Sequence, residues 1–350
     1  MRPAGNGERV LLTGGGGYIG VILADELLRN GYAVRILDTL YWGRQPLAGL
    51  EGPIEIIQDD LRRIDARVLQ GVSAVIHQGG LSNDPMAEFN PTANFAINTD
   101  ATVRLAQLCK EVGVARFTFA SSASVYDRGL TRDTCLQDET TPVEPTAAYS
   151  LSKYRAERAL LDLADAAFEP VIVRQGTVYG FSPRMRYDLV VNTMVKSALQ
   201  TGTITVLGGG EQWRPLVDVR DVARAHVAAL AAPREAAAGQ IFTLVHDNYQ
   251  MIGLAQRVGA ALREAGGVEP TIVIDHAPRP DRSYRIAGDK IRQALGWSPQ
   301  IAVEESIATM VRQLRTAGYA NYGHPRFYNI EWMKLLDETA GLIATLGRVF

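Results

Sequence analysis

Cysteine is nearly absent from this chain of 350 residues: only Cys109 and Cys135 occur. Two cysteines without C-x-x-C spacing exclude a disulfide framework. Cys109, inside a helical pattern, reads as a small packing residue. The five histidines are scattered, with no HxH or HExxH pair, so no metal site is expected. Charge of one sign is also lacking, since 36 Lys and Arg stand against 38 Asp and Glu. With no basic run, nucleic acid is not expected as a partner. No apolar stretch approaches the ~20 residues that span a bilayer, and the opening MRPAGNGE has no apolar core. A cytoplasmic protein with no membrane partner is expected. The length suits one large or two modest domains.

What the chain does have begins at Arg9, with RVLLTGGGGYIG. A short apolar run feeds a glycine turn and then an amphipathic helix expected over 18–29. Gly14 would turn the chain, Gly17 would let the backbone approach a pyrophosphate, and Gly20 would let helix and strand pack closely. The helix N-terminus offers free N–H groups and a positive dipole end to phosphates. A second strand, AVRIL, ends in Asp38, roughly 20 residues beyond the glycines, where an acid accepts hydrogen bonds from an adenosine ribose. The alternative is a glycine turn with a surface Asp. A carboxylate at this position would repel a 2′-phosphate, and neither Arg35 nor Arg44 is an obvious clamp for one, which favours NAD over NADP.

Short β-branched runs then alternate with helical patterns. Strands are expected at 54–57, 74–77, 116–120 and 171–174, and helices at about 92–112 and 147–166. This rhythm is that of an α/β, doubly wound parallel sheet of the Rossmann type. Ligands bind such sheets outside the carboxyl ends of the strands. Those ends carry the glycines, Asp38, Asp60-Leu61, His77-Gln78-Gly79-Gly80 and Ser121-Ser122-Ala123-Ser124, all glycine-rich or mainly small and polar. Singly, Gly79 and Gly80 could be an ordinary turn and Asp60 a helix N-cap.

The second half changes character. From Val178 it carries aromatics and arginines (YGFSPRMRYDL), then a hairpin-like TITVLGGGEQW and a helix around 221–232. The division expected is a Rossmann domain at 7–178, with 214–245 returning to it, and a smaller C-terminal α/β substrate-binding lobe at 179–213 and 246–320. A helical tail follows at 321–350. Its Trp332, Leu335, Leu336, Leu342, Ile343 and Leu346 read as core packing or an oligomer contact, in preference to a cofactor role.

Chemistry enters with Tyr149-Ser150-Leu151-Ser152-Lys153. Tyr and Lys four apart share a helix face. A phenol of pKa near ~10 is a poor base at neutral pH, and a nearby ammonium would bring it toward the working pH. A bare YxxxK is also a common surface pair; its place just after strand five, behind a serine cluster, is what singles it out.

Taken together, these motifs resemble the extended short-chain dehydrogenase/reductase family, in its NAD-dependent nucleotide-sugar epimerase/dehydratase branch. TGGGGYIG resembles TGxxGxxG, FASSASVY the serine motif, and YSLSK the YxxxK. VRQGTVYG, Asn192, Trp213-Arg214-Pro215-Leu216-Val217, HAPRPDRS and LGWSP resemble later signatures, so the similarity spans roughly 9–317. The resemblance implies Tyr149 as the proton-transfer residue, Lys153 as its activator and Ser122 as the sugar-hydroxyl partner. NAD would be held by Gly14, Gly17, Tyr18, Ile19, Gly20, Asp38, Asp60, Leu61, Gln78, Gly79, Gly80, Asn98 and Lys153. Asn98 could equally be a hydrogen-bonded core residue. A nucleotide-diphosphate sugar would meet Ser82, Ser122, Ser124, Thr177, Asn192, Arg214 and Arg279, the two arginines pairing with the diphosphate. Thr177 stands where the family often has Asn, and Ala101 where a helix motif has Gly. A homodimer through the helices near 92–112 and 147–166 is implied as well.

Relatives that eliminate water carry a carboxylate just after the catalytic serine or threonine, where this chain has Ala123 and Ser124. That favours an epimerase, which oxidises one ring hydroxyl, at C4 by expectation, and returns the hydride to the opposite face. A 4-ketoreductase or dehydratase is the alternative among enzymes, and a non-catalytic dinucleotide sensor the alternative outside them.

Overall fold

The computed structural model describes residues 6–126, 132–277, 282–316 and 318–347, without the side chains of 132–134. In chain order the first half runs β1 (Arg9–Thr13), α1 (Tyr18–Arg29), β2 (Ala33–Asp38), β3 (Ile54–Gln58), β4 (Ala74–His77), α2 (Asp84–Phe89) and α3 (Pro91–Phe95). It continues with α4 (Ala101–Val112), β5 (Arg116–Ser122), β6 (Arg132–Gln137), α5 (Ala148–Asp162), β7 (Glu169–Gln175) and β8 (Thr177–Tyr179). The second half holds α6 (Val190–Thr201), β9 (Thr203–Val206), β10 (Trp213–Asp218), α7 (Val219–Ala231), α8 (Arg234–Ala237), β11 (Gln240–Leu244) and β12 (Asp247–Gln250). It closes with α9 (Met251–Gly266), β13 (Thr271–Ile274), β14 (Ser283–Ile286), α10 (Asp289–Leu295), α11 (Val303–Leu314) and α12 (Asn329–Leu346).

Seven strands form one sheet in the order β11-β7-β5-β4-β1-β2-β3, and every neighbouring pair is parallel. Both faces are covered, so successive side chains of one strand enter different cores. Val10 and Leu12 of β1 pack with Val21 and Leu27 of α1 and Val227 of α7, while Leu11 packs with Leu105 of α4 and Leu160 of α5. The order reverses between β1 and β4, and a ligand crevice opens at such a point. This is a doubly wound α/β fold.

The remaining strands make smaller sheets: β12-β10-β8, β13-β9 and β14-β6. The hairpin expected across 203–213 does not form. Gly208, Gly209 and Gly210 all take positive φ (62°, 79° and 81°) and swing the chain out of line. β9 then pairs with β13 in parallel, and β10 with β12 and β8. Around these strands α6, α9 and α11 bury Val191, Val195, Leu254, Val258, Ile307 and Val311 in a separate core.

Two helical expectations change in detail. The pattern at 92–112 is α3 and α4 joined by one π turn, Ala96–Asp100, with Asn98 in it. The tail does form a helix, but only Asn329 of α12 is buried. Leu342 and Leu346 are 60% and 74% exposed, so the reading of this stripe as core packing is overturned. Among the described residues no helix is long and apolar enough to cross a membrane.

Candidate active site

Two connecting clefts lie at the carboxyl ends of the strands, sharing Tyr18, Ile19, Gln78, Gly80, Leu81, Ser82 and Arg186. The first is floored by the glycine turn. Gly14 takes φ +71°, and a Cβ there would lie 2.7 Å from the Gly79 Cα. A Cβ on Gly20 would stand 2.0 Å from the Gly14 carbonyl oxygen, so glycine is required for α1 to sit on the turn. Gly17 would meet only that carbonyl, at 3.2 Å, leaving the cleft side open to a ligand. Asp38 sits at the end of β2. Its Oδ2 accepts from the Gly16 N–H at 2.9 Å and its Oδ1 from the Leu40 N–H at 2.7 Å. Burial pushes the carboxyl up, while these two N–H groups and Arg184 hold it down. A carboxylate has about four lone-pair sites, so two remain for a diol.

Asp60, Leu61, Gln78, Gly79 and Gly80 also line this cleft. Asp60 caps a short 3-10 turn as well, accepting from the Arg62 N–H. Asn98 does not reach the cleft. Its Oδ1 accepts from the Leu81 N–H at 2.8 Å, and its Nδ2 donates to the Leu81 carbonyl, Asn94 and Ser152. It pins the loop after β4 to α5, so its expected cofactor contact gives way to the core reading. His77, at the end of β4, lies beneath the cleft, wedged between Thr13 (2.6 Å) and Thr102 (2.8 Å).

The second cleft, about 470 Å³, is within the range of small-molecule sites. The structure brings Tyr149, Lys153, Ser122, Ser124, Ser82, Thr177 and Arg214 together around it. Asn192 is not among them. Its Oδ1 accepts from the Gly180 N–H, and its Nδ2 donates to the Arg186 carbonyl at 2.9 Å. That amide braces the 180–186 loop and is not free to meet a phosphate. Arg279 lies outside the described residues.

Tyr149 and Ser122 both line this cleft. Burial pushes the Tyr149 phenol up to about 12, against the opposing pull of Ser122 and Arg186. The Lys153 ammonium, expected to lower that phenol, instead donates to the Ala120 carbonyl at 3.0 Å and lies over the Phe119 ring. The two residues share a helix face, but the long lysine chain reaches down to β5. Burial lowers Lys153 to about 8, with Glu157 one turn on pulling the other way. Glu157 is fully buried, receives Arg174 at 2.6 Å and accepts from Ser121 at 2.5 Å, locking α5 onto β5 and β7.

Several further residues line the clefts; of these Asp84 lies in SNDPMAEF, the loop after β4 expected to line the sugar site, and Arg282 in HAPRPDRS. Trp42, Arg184, Asn329 and Met333 line the first cleft, and Asp84, Arg282 and Tyr284 the second; Arg186 lines both. Asp84 receives the Arg282 guanidinium at 2.9 Å and is the only carboxylate around the second cleft among the described residues. The arginines of SPRMR, which follow a strand end, were the available signal. Nothing in the tail pointed to Asn329 or Met333 as lining residues of this cleft.

A glycine turn at a helix N-terminus, an acid ending the second strand and a Tyr–Ser pair in the adjoining cleft define a dinucleotide-dependent enzyme. Residues 10–244 match the NAD dependent epimerase/dehydratase family, and the chain belongs to it, an extended short-chain dehydrogenase/reductase. A UDP-glucose 4-epimerase of Azospirillum brasilense is 28% identical over 312 residues, covering 83% of this chain and 87% of that protein. UDP-glucuronic acid decarboxylase 2 of Arabidopsis thaliana is 29% identical over 324 residues, 88% of this chain and 68% of the relative. A dTDP-glucose 4,6-dehydratase crystal structure from Streptomyces venezuelae, with NAD bound, aligns with a TM-score of 0.74 at 26% identity, covering 88% of this chain and 97% of that one. NAD is the cofactor. The first cleft fits it, with the open side at Gly17, the free acceptor sites of Asp38 and the buried, incompletely paired Arg184.

Proposed function

We propose that this enzyme is an NAD-dependent epimerase of a nucleotide-diphosphate sugar, inverting one ring carbinol, C4 by preference. Bound NAD would supply the hydride acceptor and return the hydride. The protein's own part is acid–base work and positioning. Tyr149 is placed to exchange a proton with the ring hydroxyl at its Oη, and Ser122 to share that hydrogen bond. Lys153 is a nearby cation on the same helix, and Arg214 a donor suited to a diphosphate.

The observation that carries the reading is the lack of a free carboxylate beside Ser122 among the described residues. Ala123 and Ser124 follow it, and Asp84, the one acid among the described residues of the cleft, is paired with Arg282. Elimination of water needs a further acid and base, and Asp84 is already engaged by Arg282. The relatives include an epimerase, a decarboxylase and a dehydratase, so a sugar nucleotide is common ground, and this observation supports the epimerase over the dehydratase.

Proton NMR of the purified protein with a panel of UDP-, dTDP-, GDP- and CDP-sugars, no cofactor added, tests this. A new anomeric signal at unchanged substrate mass is expected. Turnover only with added NADH and a keto-sugar would make it a reductase. Loss of 18 mass units, a general consequence of dehydration, would make it a dehydratase, and silence throughout would favour a sensor. A homodimer through α4 and α5 belongs to the same proposal, and a monomeric mass in light scattering would remove it.

A further inference from the structure

Arg184 is 4% exposed, yet only one arm of its guanidinium is used. Its Nη2 donates to Asn329 Oδ1 at 2.5 Å, while Nε and Nη1 have no hydrogen-bond partner among the described residues. Its Cζ lies over the Trp42 ring, 3.9 Å from the centroid. Buried arginine N–H groups without acceptors are costly, and an arginine is not relieved by deprotonation. Burial and the neighbouring Arg186 both disfavour its charge. Asp188 and Asp38 favour its charge from a distance, but neither is hydrogen-bonded to it among the described residues. Asp188 is taken by Arg186 through two contacts of 2.8 and 2.9 Å, and Asp38 forms no ion pair with Arg184.

The place of this cation is informative. It lines the first cleft together with Gly17, Tyr18 and Asp38, and it feels the charge of Asp38. A dinucleotide puts its pyrophosphate at the N-terminus of α1 and its adenosine ribose on Asp38. A donor near both faces the phosphate on the adenosine side. A guanidinium edge is a two-pronged donor matched to phosphate oxygens.

We propose that Arg184 is a latch on the cofactor: its Nε and Nη1 donate to the adenosine-side phosphate of NAD. Through Asn329 the latch includes the first turn of α12. The floor of the cleft therefore comes from the Rossmann half, and the closing cation from a loop more than 140 residues further on. An enzyme that regenerates its NAD each turnover gains by not releasing it, and a buried, pre-oriented cation slows release. The inference rests on NAD being the cofactor, not on which sugar reaction follows.

The test is binding, measured on the full chain by calorimetry with NAD, ADP and adenosine. Arg184→Met should weaken NAD and ADP at least tenfold and leave adenosine within about twofold. Arg184→Lys keeps the charge without the fork, and should recover part of the loss for ADP. Equal weakening of ADP and adenosine would mean that Arg184 only shapes the cleft, and no weakening of either would also overturn the latch. If Arg184→Met does not fold, Arg184→Lys carries the same comparison, with ADP weakened severalfold and adenosine unchanged. Failure of the unaltered protein to bind NAD would sink the cofactor assignment itself, a separate outcome.

Discussion

The floor and the roof of the cofactor cleft are built in opposite ways. The floor is local: Gly14 to Gly20 and Asp38 lie within thirty residues, and His77 and Asn98 brace it from below through short, fully buried hydrogen bonds. The roof is remote: Trp42, Arg184 and Asn329 meet from three separate segments, and Arg184 leaves two donors unpaired among the described residues. A satisfied floor contributes to stability. An unsatisfied roof is built for something that completes it. Variants should separate the two, since floor changes cost folding free energy and roof changes cost cofactor affinity.

The largest effect is expected outside both, in the second cleft. Tyr149→Phe removes the exchangeable proton, and turnover should fall about 10²–10⁴-fold while the NAD content of the purified protein is unchanged. Turnover near that of the unaltered protein would remove Tyr149 from the chemistry.

The floor can be probed by pH. His77 and His226 are both buried, and burial lowers each to about 3. Unfolded, each would bind a proton near ~6.5. Between those values unfolding takes up protons, so stability falls as pH drops below about 6.5. Going from pH 7 to 5 should cost about 2 kcal/mol for each histidine. Urea unfolding at both pH values checks this, and His226→Gln should remove about half of the difference. A pH-independent midpoint over that range would contradict the buried neutral state.

Asn98→Ala leaves the Leu81 N–H and carbonyl without their partner, and should cost about 2–3 kcal/mol of stability. NAD affinity, measured well below the melting temperature, should change less than in Arg184→Met. If affinity falls as far, Asn98 belongs to the cofactor site after all. The smallest effect is expected at α12, where Leu346→Ser should change stability by less than about 0.5 kcal/mol because the side chain is 74% exposed. A larger loss would show that this stripe is covered in solution, which light scattering on the same variant would detect.

The same contrast governs what was legible in the sequence. The parallel sheet, α1 and the strand-end residues follow from period and punctuation, because each is set by neighbours within a few residues. Asp38 was readable for that reason. Asn98 was misassigned because a motif position says nothing about which way an amide turns, and here the π turn aims it at Leu81. Asn192 failed likewise, spent on the Gly180 and Arg186 backbone. The Tyr–Lys spacing was correct for the helix face, but the contact of Lys153 with the Ala120 carbonyl depends on where β5 ends. Arg184, Trp42 and Asn329 were invisible because no local pattern links residues so far apart in the chain.

The most direct test of the account runs the reaction in D2O with the sugar nucleotide that the NMR panel identifies, followed by mass spectrometry and proton NMR of the product. A carbinol oxidised and reduced with its own hydride keeps that hydride, so the inverted carbon should carry no deuterium and the mass should be unchanged. Deuterium fixed on a ring carbon would mean that a C–H proton is exchanged with solvent, and would contradict reversible oxidation of a single carbinol as the reaction.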